Sequence, residues 1–170
     1  RRTQRTVDER KGKHPRREGT MKGIVTIAGY GTRFLPASKA VPKEMFPIAG
    51  TPLIQHHVES LVAAGIREII VVVREGGALI QRHFAPDKDL ELHLEKSGKA
   101  ALLEEIQRLS RLADIVTVRQ PETLPYGNGS PALAARDWLS PGEPFYYMFG
   151  DDIITADTPV PQQMLDAFER

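Results

Sequence analysis

The chain of 170 residues contains no cysteine, and it has no apolar run of the roughly 18 residues that a membrane-spanning helix needs. The first absence excludes disulfide bonds and thiolate metal sites, and it is compatible with a reducing cytoplasm. The second absence predicts that the chain does not enter a membrane. Hydrophobic residues (41%) and charged residues (26%) are close to globular averages, so we expect one domain with a hydrophobic core.

Positive charge is concentrated in the first part of the chain. Residues 1–20 carry eight Lys or Arg and three Asp or Glu, whereas residues 21–170 carry 15 and 19. The longer segment is therefore net negative, which argues against a nucleic-acid partner. Residues 1–20 have too few apolar side chains to build a core, and we interpret them as a disordered basic tail or a non-native extension.

Short apolar runs alternate with helical patterns along the rest of the chain. The predicted strands cover residues 23–28, 68–73, 114–118 and 145–149, and the predicted helices cover residues 53–64, 79–84, 99–112, 131–139 and 162–170. The strands are apolar throughout rather than alternating, which is typical of a parallel sheet covered on both faces. The sequence thus predicts an α/β fold, a Rossmann-like, mostly parallel sheet with helices on both faces. Such sheets bind ligands at the carboxyl ends of their strands.

The first predicted strand runs into segment 28–36, which reads Ala-Gly-Tyr-Gly-Thr-Arg-Phe-Leu-Pro. Its glycines allow a close backbone approach, and its threonine and arginine are anion-binding types. These four residues are Gly29, Gly31, Thr32 and Arg33. Lys43 follows Pro42, so a second cation projects from a stiff turn. The segment matches neither a P-loop nor a dinucleotide fingerprint, and it predicts a site for phosphate groups.

The continuous string from Ala28 to Pro47, AGYGTRFLPASKAVPKEMFP, resembles the signature of sugar-1-phosphate nucleotidyltransferases, A-G-x-G-T-R-x-x-P followed by P-K. Its later portion is similar to that of the bacterial UTP:glucose-1-phosphate uridylyltransferases. The resemblance implies transfer of a uridylyl group from UTP to a sugar 1-phosphate, with glucose 1-phosphate as the expected acceptor and Mg²⁺ as the cofactor. It implies catalytic roles for Arg33 and Lys43. It also implies nucleotide contacts for Ala28, Gly29, Gly31 and Thr32.

The later strand ends carry further candidates that the resemblance implies. Gln120 follows the third predicted strand, and its amide suits the hydrogen-bonding edge of uracil. Gly127 and Gly129 resemble a Gly-x-Gly segment that flanks the base and the sugar, although Ser130 stands where the family usually has histidine. Asp151 follows the fourth predicted strand, aligns with the family's metal aspartate and is expected to bind Mg²⁺.

Two segments have less specific interpretations. His56 and His57 are neighbours on a predicted helix and so point about 100° apart, which favours helix packing over a zinc site. Residues 74–77, at the exit of the second strand, are expected to be flexible, with no assigned role other than a turn.

The resemblance also implies that the sugar pocket and a second metal carboxylate lie beyond residue 170. Residues 21–170 are therefore expected to be the N-terminal, nucleotide-binding part of the domain, unable to complete turnover alone. Two alternatives stay open: a nucleotidyltransferase for another pair of nucleotide and sugar phosphate, and a non-catalytic nucleotide-binding module. The oligomeric state of the full-length protein, including a homo-oligomer, is left open as well.

Overall fold

The computed structural model describes residues 21–170, so the interpretation of residues 1–20 lies outside the described range. The strands are β1 (Lys22–Ile27), β2 (Pro47–Ile48), β3 (Thr51–Pro52), β4 (Glu68–Val73), β5 (Asp114–Arg119) and β6 (Phe145–Phe149). The helices are α1 (Leu53–Ala63), α2 (Gly77–Phe84), α3 (Lys88–Lys96), α4 (Ala100–Leu109), α5 (Ser130–Ala135) and α6 (Val160–Phe168). Among these helices none is long and apolar enough to cross a membrane.

Four strands form one parallel sheet in the order β5-β4-β1-β6, while β2 and β3 form a small antiparallel hairpin. The chain first builds the sheet from β1 towards β4 and β5. It then crosses over and adds β6 on the opposite side of β1. In such a sheet the ligand crevice lies where the strand order reverses, which here is between the carboxyl ends of β1 and β6.

The two faces of the sheet bury separate sets of side chains, because successive residues of a strand point to opposite faces. Val25 and Val71 belong to one cluster, which also contains buried side chains of α1, α2 and α4. Ile24 and Val72 belong to the other cluster, where they pack with Ala135 of α5. The prediction of a parallel sheet with helices on both faces is therefore confirmed.

Most helix bounds differ from the prediction by one to three residues, and two differences are larger. Helix α3 was not predicted, because Leu94 is its only buried side chain and most of its other residues are polar or charged. Its start has a clear local cause, since Asp87 Oδ1 accepts a hydrogen bond from the backbone N–H of Leu90 at 3.0 Å. The helix predicted over residues 131–139 is α-helical only to Ala135 and continues as a 3₁₀ turn, Arg136–Trp138.

Candidate functional site

The loop after β1 folds into three 3₁₀ turns, Thr32–Phe34, Ala37–Lys39 and Lys43–Met45. Gly31 has a left-handed backbone with φ of 62°, and its carbonyl accepts hydrogen bonds from Ser38 Oγ at 2.8 Å and the Phe34 N–H at 2.9 Å. A Cβ on Gly31 would lie 3.1 Å from Ser38 Cβ, so both conformation and space favour glycine. Thr32 and Arg33 are exposed beside this turn, where they can meet a ligand.

The exit of β4 supports this loop, and the expectation of a simple turn there was incomplete. Arg74 Nε donates to Ala28 O at 3.2 Å, and its guanidinium lies 3.9 Å from the centre of the Tyr30 ring, a cation–π contact. Gly76 has φ of 76°, and a Cβ there would come within 2.6 Å of Pro42 Cγ. Arg74 thus contacts the first loop near its start, and Gly76 packs against Pro42, which precedes Lys43. Sequence reasoning missed both because no local pattern shows which residues they contact.

Lys43 and Asp151 are 108 positions apart in the sequence and meet at the carboxyl end of the sheet. Lys43 Nζ donates to Asp151 Oδ2 at 2.7 Å. This hydrogen bond is the main cause that holds the pKa of Asp151 below its usual value, and the charge of Arg33 acts in the same direction. The side chain of Asp151 is 52% exposed. The site therefore presents an ionised carboxylate to solvent beside two cations.

The turn that carries Asp151 is fixed by the groups around Gly150, which is itself buried. The Gly150 N–H donates to Thr26 O at 2.9 Å, and His57 Nε2 lies 2.9 Å from Gly150 O. A Cβ on Gly150 would overlap Ile27 Cγ2 and lie 2.9 Å from Thr26 O. His57 packs on helix α1 as expected, but its hydrogen bond to this turn was not foreseen.

Glu44 is buried beneath the ion pair and was also missed by sequence reasoning. It is 2% exposed, and its Oε1 lies 3.7 Å from Lys43 Nζ. Burial raises the pKa of Glu44 from 4.5 to about 7, against the opposing effects of a backbone hydrogen bond and the Lys43 charge. The negative charge of Asp151 adds to the increase. The only hint of this burial in the sequence was the setting of Glu44, which lies in a short segment with two prolines, Pro42 and Pro47, and two apolar residues.

The buried carboxyl of Glu44 predicts a pH-dependent stability that Glu44→Gln removes. A carboxyl group whose pKa is higher in the folded state binds its proton more tightly there than in the unfolded state. Its contribution to the free energy of unfolding is therefore greatest below about pH 4.5 and is lost as pH rises to about 7. The free energy of unfolding of the parent, relative to Glu44→Gln, is expected to fall by on the order of 2 kcal/mol across this window. Urea unfolding at pH 5 and pH 7.5 measures the difference, and parallel pH profiles for the two proteins would refute it.

Gln120 lies at the same end of the sheet, but farther from the ion pair. Its backbone N–H donates to Val73 O at 2.8 Å, which continues the pairing of β5 with β4. Strand β5 is separated from β1 by β4, so Gln120 lies to one side of the crevice. Its side chain is partly exposed.

The loop before α5 lies near the crevice because it is tied to β6. Tyr147 OH donates to Asn128 O at 2.6 Å. Gly127 and Gly129, on either side of Asn128, are exposed, and a Cβ on either would meet no atom within 4 Å. Their backbone is therefore open to a ligand, although nothing in the packing demands glycine at these positions.

Ser130 has a structural role at the position where the resemblance leads one to expect histidine. It is buried, and its hydroxyl donates to Pro125 O, which closes the loop before α5. The serine hydroxyl thus stabilises the loop from within.

The donors near the crevice fit a divalent cation that is shared with a ligand. Within residues 21–170 no group of three or more His, Cys, Asp or Glu side chains could hold a metal ion by itself. Asp151 nevertheless offers an ionised and half-exposed carboxylate. Mg²⁺ in nucleotide sites commonly binds one or two carboxylates together with phosphate oxygens and water. The geometry therefore suits an ion held jointly with a nucleotide rather than a closed protein cage.

Residues 22–170 match the family model described as nucleotidyl transferase. The chain belongs to the nucleotidyl transferase family. It is 46% identical over 149 residues to the UTP--glucose-1-phosphate uridylyltransferase of Bacillus subtilis, an alignment that covers 88% of this chain and 50% of the relative. A uridylyltransferase of Staphylococcus saprophyticus is also 46% identical over 148 residues, with 87% and 50% covered. The chain spans about half the length of these curated relatives.

Solved structures of this transferase family show the same fold. The UTP-bound UGPase from Acinetobacter baumannii has a TM-score of 0.77 and 33% identity, over 88% of this chain and 53% of that one. A UDP-glucose pyrophosphorylase complexed with UDP-glucose has a TM-score of 0.73 and 30% identity, over 89% and 54%. The resemblance stated from residues 28–47 is therefore confirmed at the level of the family.

Proposed function

We propose that this chain is the N-terminal, nucleotide-binding part of a UTP:glucose-1-phosphate uridylyltransferase. The observation that carries the proposal is the 2.7 Å contact between Lys43 and Asp151. It joins the loop that suits phosphate groups to the carboxylate that suits a metal ion, at the crevice where the sheet topology favours a ligand. The relatives named as uridylyltransferases support the choice of reaction.

The proposed reaction forms one phosphorus–oxygen bond and breaks another. A phosphate oxygen of glucose 1-phosphate attacks the α-phosphorus of UTP, and pyrophosphate leaves with the electrons of the broken bond. The attacking oxygen is already anionic, so the protein needs no general base. Rate acceleration then comes from positioning and from neutralising charge on the phosphates.

The residues of the first loop have complementary parts in this proposal. The backbone at Ala28, Gly29 and Gly31 approaches the nucleotide, and the Thr32 hydroxyl offers it a hydrogen bond. Arg33 binds the departing pyrophosphate portion, because a guanidinium holds phosphate oxygens in a bidentate manner. Lys43 lies nearer the reacting phosphate, and the packing of Gly76 against Pro42 holds the backbone that precedes it.

Asp151 is the residue that we propose as the ligand of Mg²⁺. Bound there, the ion would neutralise phosphate charge and thereby favour departure of pyrophosphate. The chain's own contribution is to keep the carboxylate ionised and in place, through Lys43 and the fixed turn at Gly150.

Preference for uracil is assigned to the segments on the two flanks of the crevice. The Gln120 amide offers both a donor and an acceptor to the base. Gly127 and Gly129 leave backbone open on the side of β6. We place the reaction in the cytoplasm, with which the absence of cysteine is compatible.

A pyrophosphate-release assay on the full-length protein tests the proposal. UTP, dTTP, GTP and ATP are each combined with glucose 1-phosphate, galactose 1-phosphate and mannose 1-phosphate, with Mg²⁺ present. UTP with glucose 1-phosphate is expected to have the highest kcat/KM. Lys43→Met serves as a control against contaminating enzymes, because it is expected to lose the activity while keeping the fold.

The other outcomes of this assay have distinct meanings. A faster reaction with another pair would assign the chain to a transferase of different specificity. Absence of reaction with every pair, together with measurable binding of UTP, would indicate a non-catalytic nucleotide-binding module.

A further inference from the structure

We propose that His57 is a positioning residue for Asp151. By donating a hydrogen bond to the carbonyl of Gly150, its ring orients the turn that presents the Asp151 carboxylate. The inference rests on the proposed function, because it concerns how the carboxylate is held for a cation and a nucleotide.

The hydrogen bond has a defined direction. His57 Nε2 lies 2.9 Å from Gly150 O, and a carbonyl only accepts, so Nε2 carries the hydrogen. His57 is 3% exposed, and burial is the main cause that lowers the pKa of its ring. The neutral imidazole has one N–H, and the structure directs it at this carbonyl.

The contact acts at the peptide that leads into Asp151. The Gly150 N–H is fixed to Thr26 O in β1, so the start of the turn follows the sheet. The Gly150 carbonyl belongs to the next peptide unit, which also contains the nitrogen of Asp151. His57 therefore restrains rotation of the peptide that sets the direction of the Asp151 side chain. Without a donor, this buried carbonyl would be left unpaired, and the turn would shift to satisfy it.

The neighbouring histidine provides a matched control. His56 lies on the same helix, and its Nε2 lies 3.2 Å from a backbone carbonyl, that of Ile48 in β2. That contact holds the small hairpin and does not involve the Asp151 turn. Replacing His56 tests the general effect of removing a histidine–carbonyl bond from α1.

Calorimetry on the full-length protein tests the role of His57 without depending on turnover. The quantity measured is the affinity for Mg²⁺ in the presence of saturating UTP. His57→Leu, which fills the space but has no donor, is expected to weaken this affinity about tenfold, as loss of outer contacts does at metal sites. His57→Gln, whose terminal amide can donate from nearly the position of Nε2, is expected to restore most of it. His56→Leu is expected to match the parent.

Thermal unfolding of each variant separates positioning from packing. A purely structural histidine would lower Tm in His57→Leu while leaving Mg²⁺ affinity unchanged, and that result would overturn the inference. Equal losses of affinity in His57→Gln and His57→Leu would also overturn it. If His57→Leu does not fold, His57→Asn replaces it, because its shorter amide does not reach Gly150 O. If the parent itself binds no UTP, the proposed function fails and this inference fails with it.

Discussion

Replacement of Asp151 by asparagine in the full-length protein is expected to lower kcat for pyrophosphate release by on the order of 10²–10³-fold. Asparagine keeps the shape of the side chain but removes the charge that would hold Mg²⁺. It also removes the charge from the group that Lys43 Nζ contacts at 2.7 Å. Because the turn is fixed through Gly150, the fold should persist. Steady-state assays over a range of Mg²⁺ concentrations measure the effect.

A matched variant shows whether the loss is specific to this carboxylate. Asp157→Asn removes an exposed carboxylate from the segment after β6 and should leave kcat and Tm at the parent values. Asp151→Asn should retain a Tm within a few degrees of the parent. A kcat for Asp151→Asn within about threefold of the parent would contradict the assignment of Asp151 to the metal, since a charge at the reacting phosphates is worth much more than that.

Substitution of Gly150 by alanine is expected to destabilise the protein by about 3 kcal/mol and to abolish activity. The added Cβ would overlap Ile27 Cγ2 and lie 2.9 Å from Thr26 O. Ile27 is buried in the core and Thr26 O is backbone of the central strand, so neither can move cheaply. The strand β6 would have to move away from β1 and carry Asp151 with it.

Chemical unfolding monitored by circular dichroism measures the effect of Gly150→Ala. Gly127→Ala is the control for stability, because a Cβ there meets no atom within 4 Å and its backbone is not left-handed. That variant should unfold at the denaturant concentration of the parent. Equal midpoints for Gly150→Ala and the parent would show that the turn is not packed as tightly against β1 as the structure indicates.

The sheet could be predicted from the sequence because its strands are short, apolar and rich in β-branched residues. Strands β4 and β6 have the predicted bounds, because nearly every residue in each strand is apolar or aromatic. Helix α3 could not be predicted in the same way. With Leu94 as its only buried side chain, it carries too little apolar periodicity to be distinguished from a polar loop.

The candidate site also contains residues that local sequence could predict and residues that it could not. A contiguous string predicted the loop with Arg33 and Lys43, and the family resemblance together with the position after a strand predicted Asp151. The supporting residues Arg74, Glu44 and His57 could not be found, because their partners are supplied by distant parts of the chain. His57 and Gly150, for example, are 93 positions apart. A local pattern carries no information on such a contact, so only the folded structure, in which α1 meets the turn after β6, reveals it.

Titration of UTP into the full-length protein in the presence of Mg²⁺ tests most directly whether the loop after β1 and the turn after β6 form one phosphate site. Calorimetry compares the parent with Lys43→Met and with Lys88→Met, which removes an exposed lysine of α3. Loss of a charged hydrogen bond to phosphate should weaken binding about tenfold to a hundredfold in Lys43→Met, and Lys88→Met should bind as the parent does. Equal affinity in Lys43→Met and the parent would contradict the account.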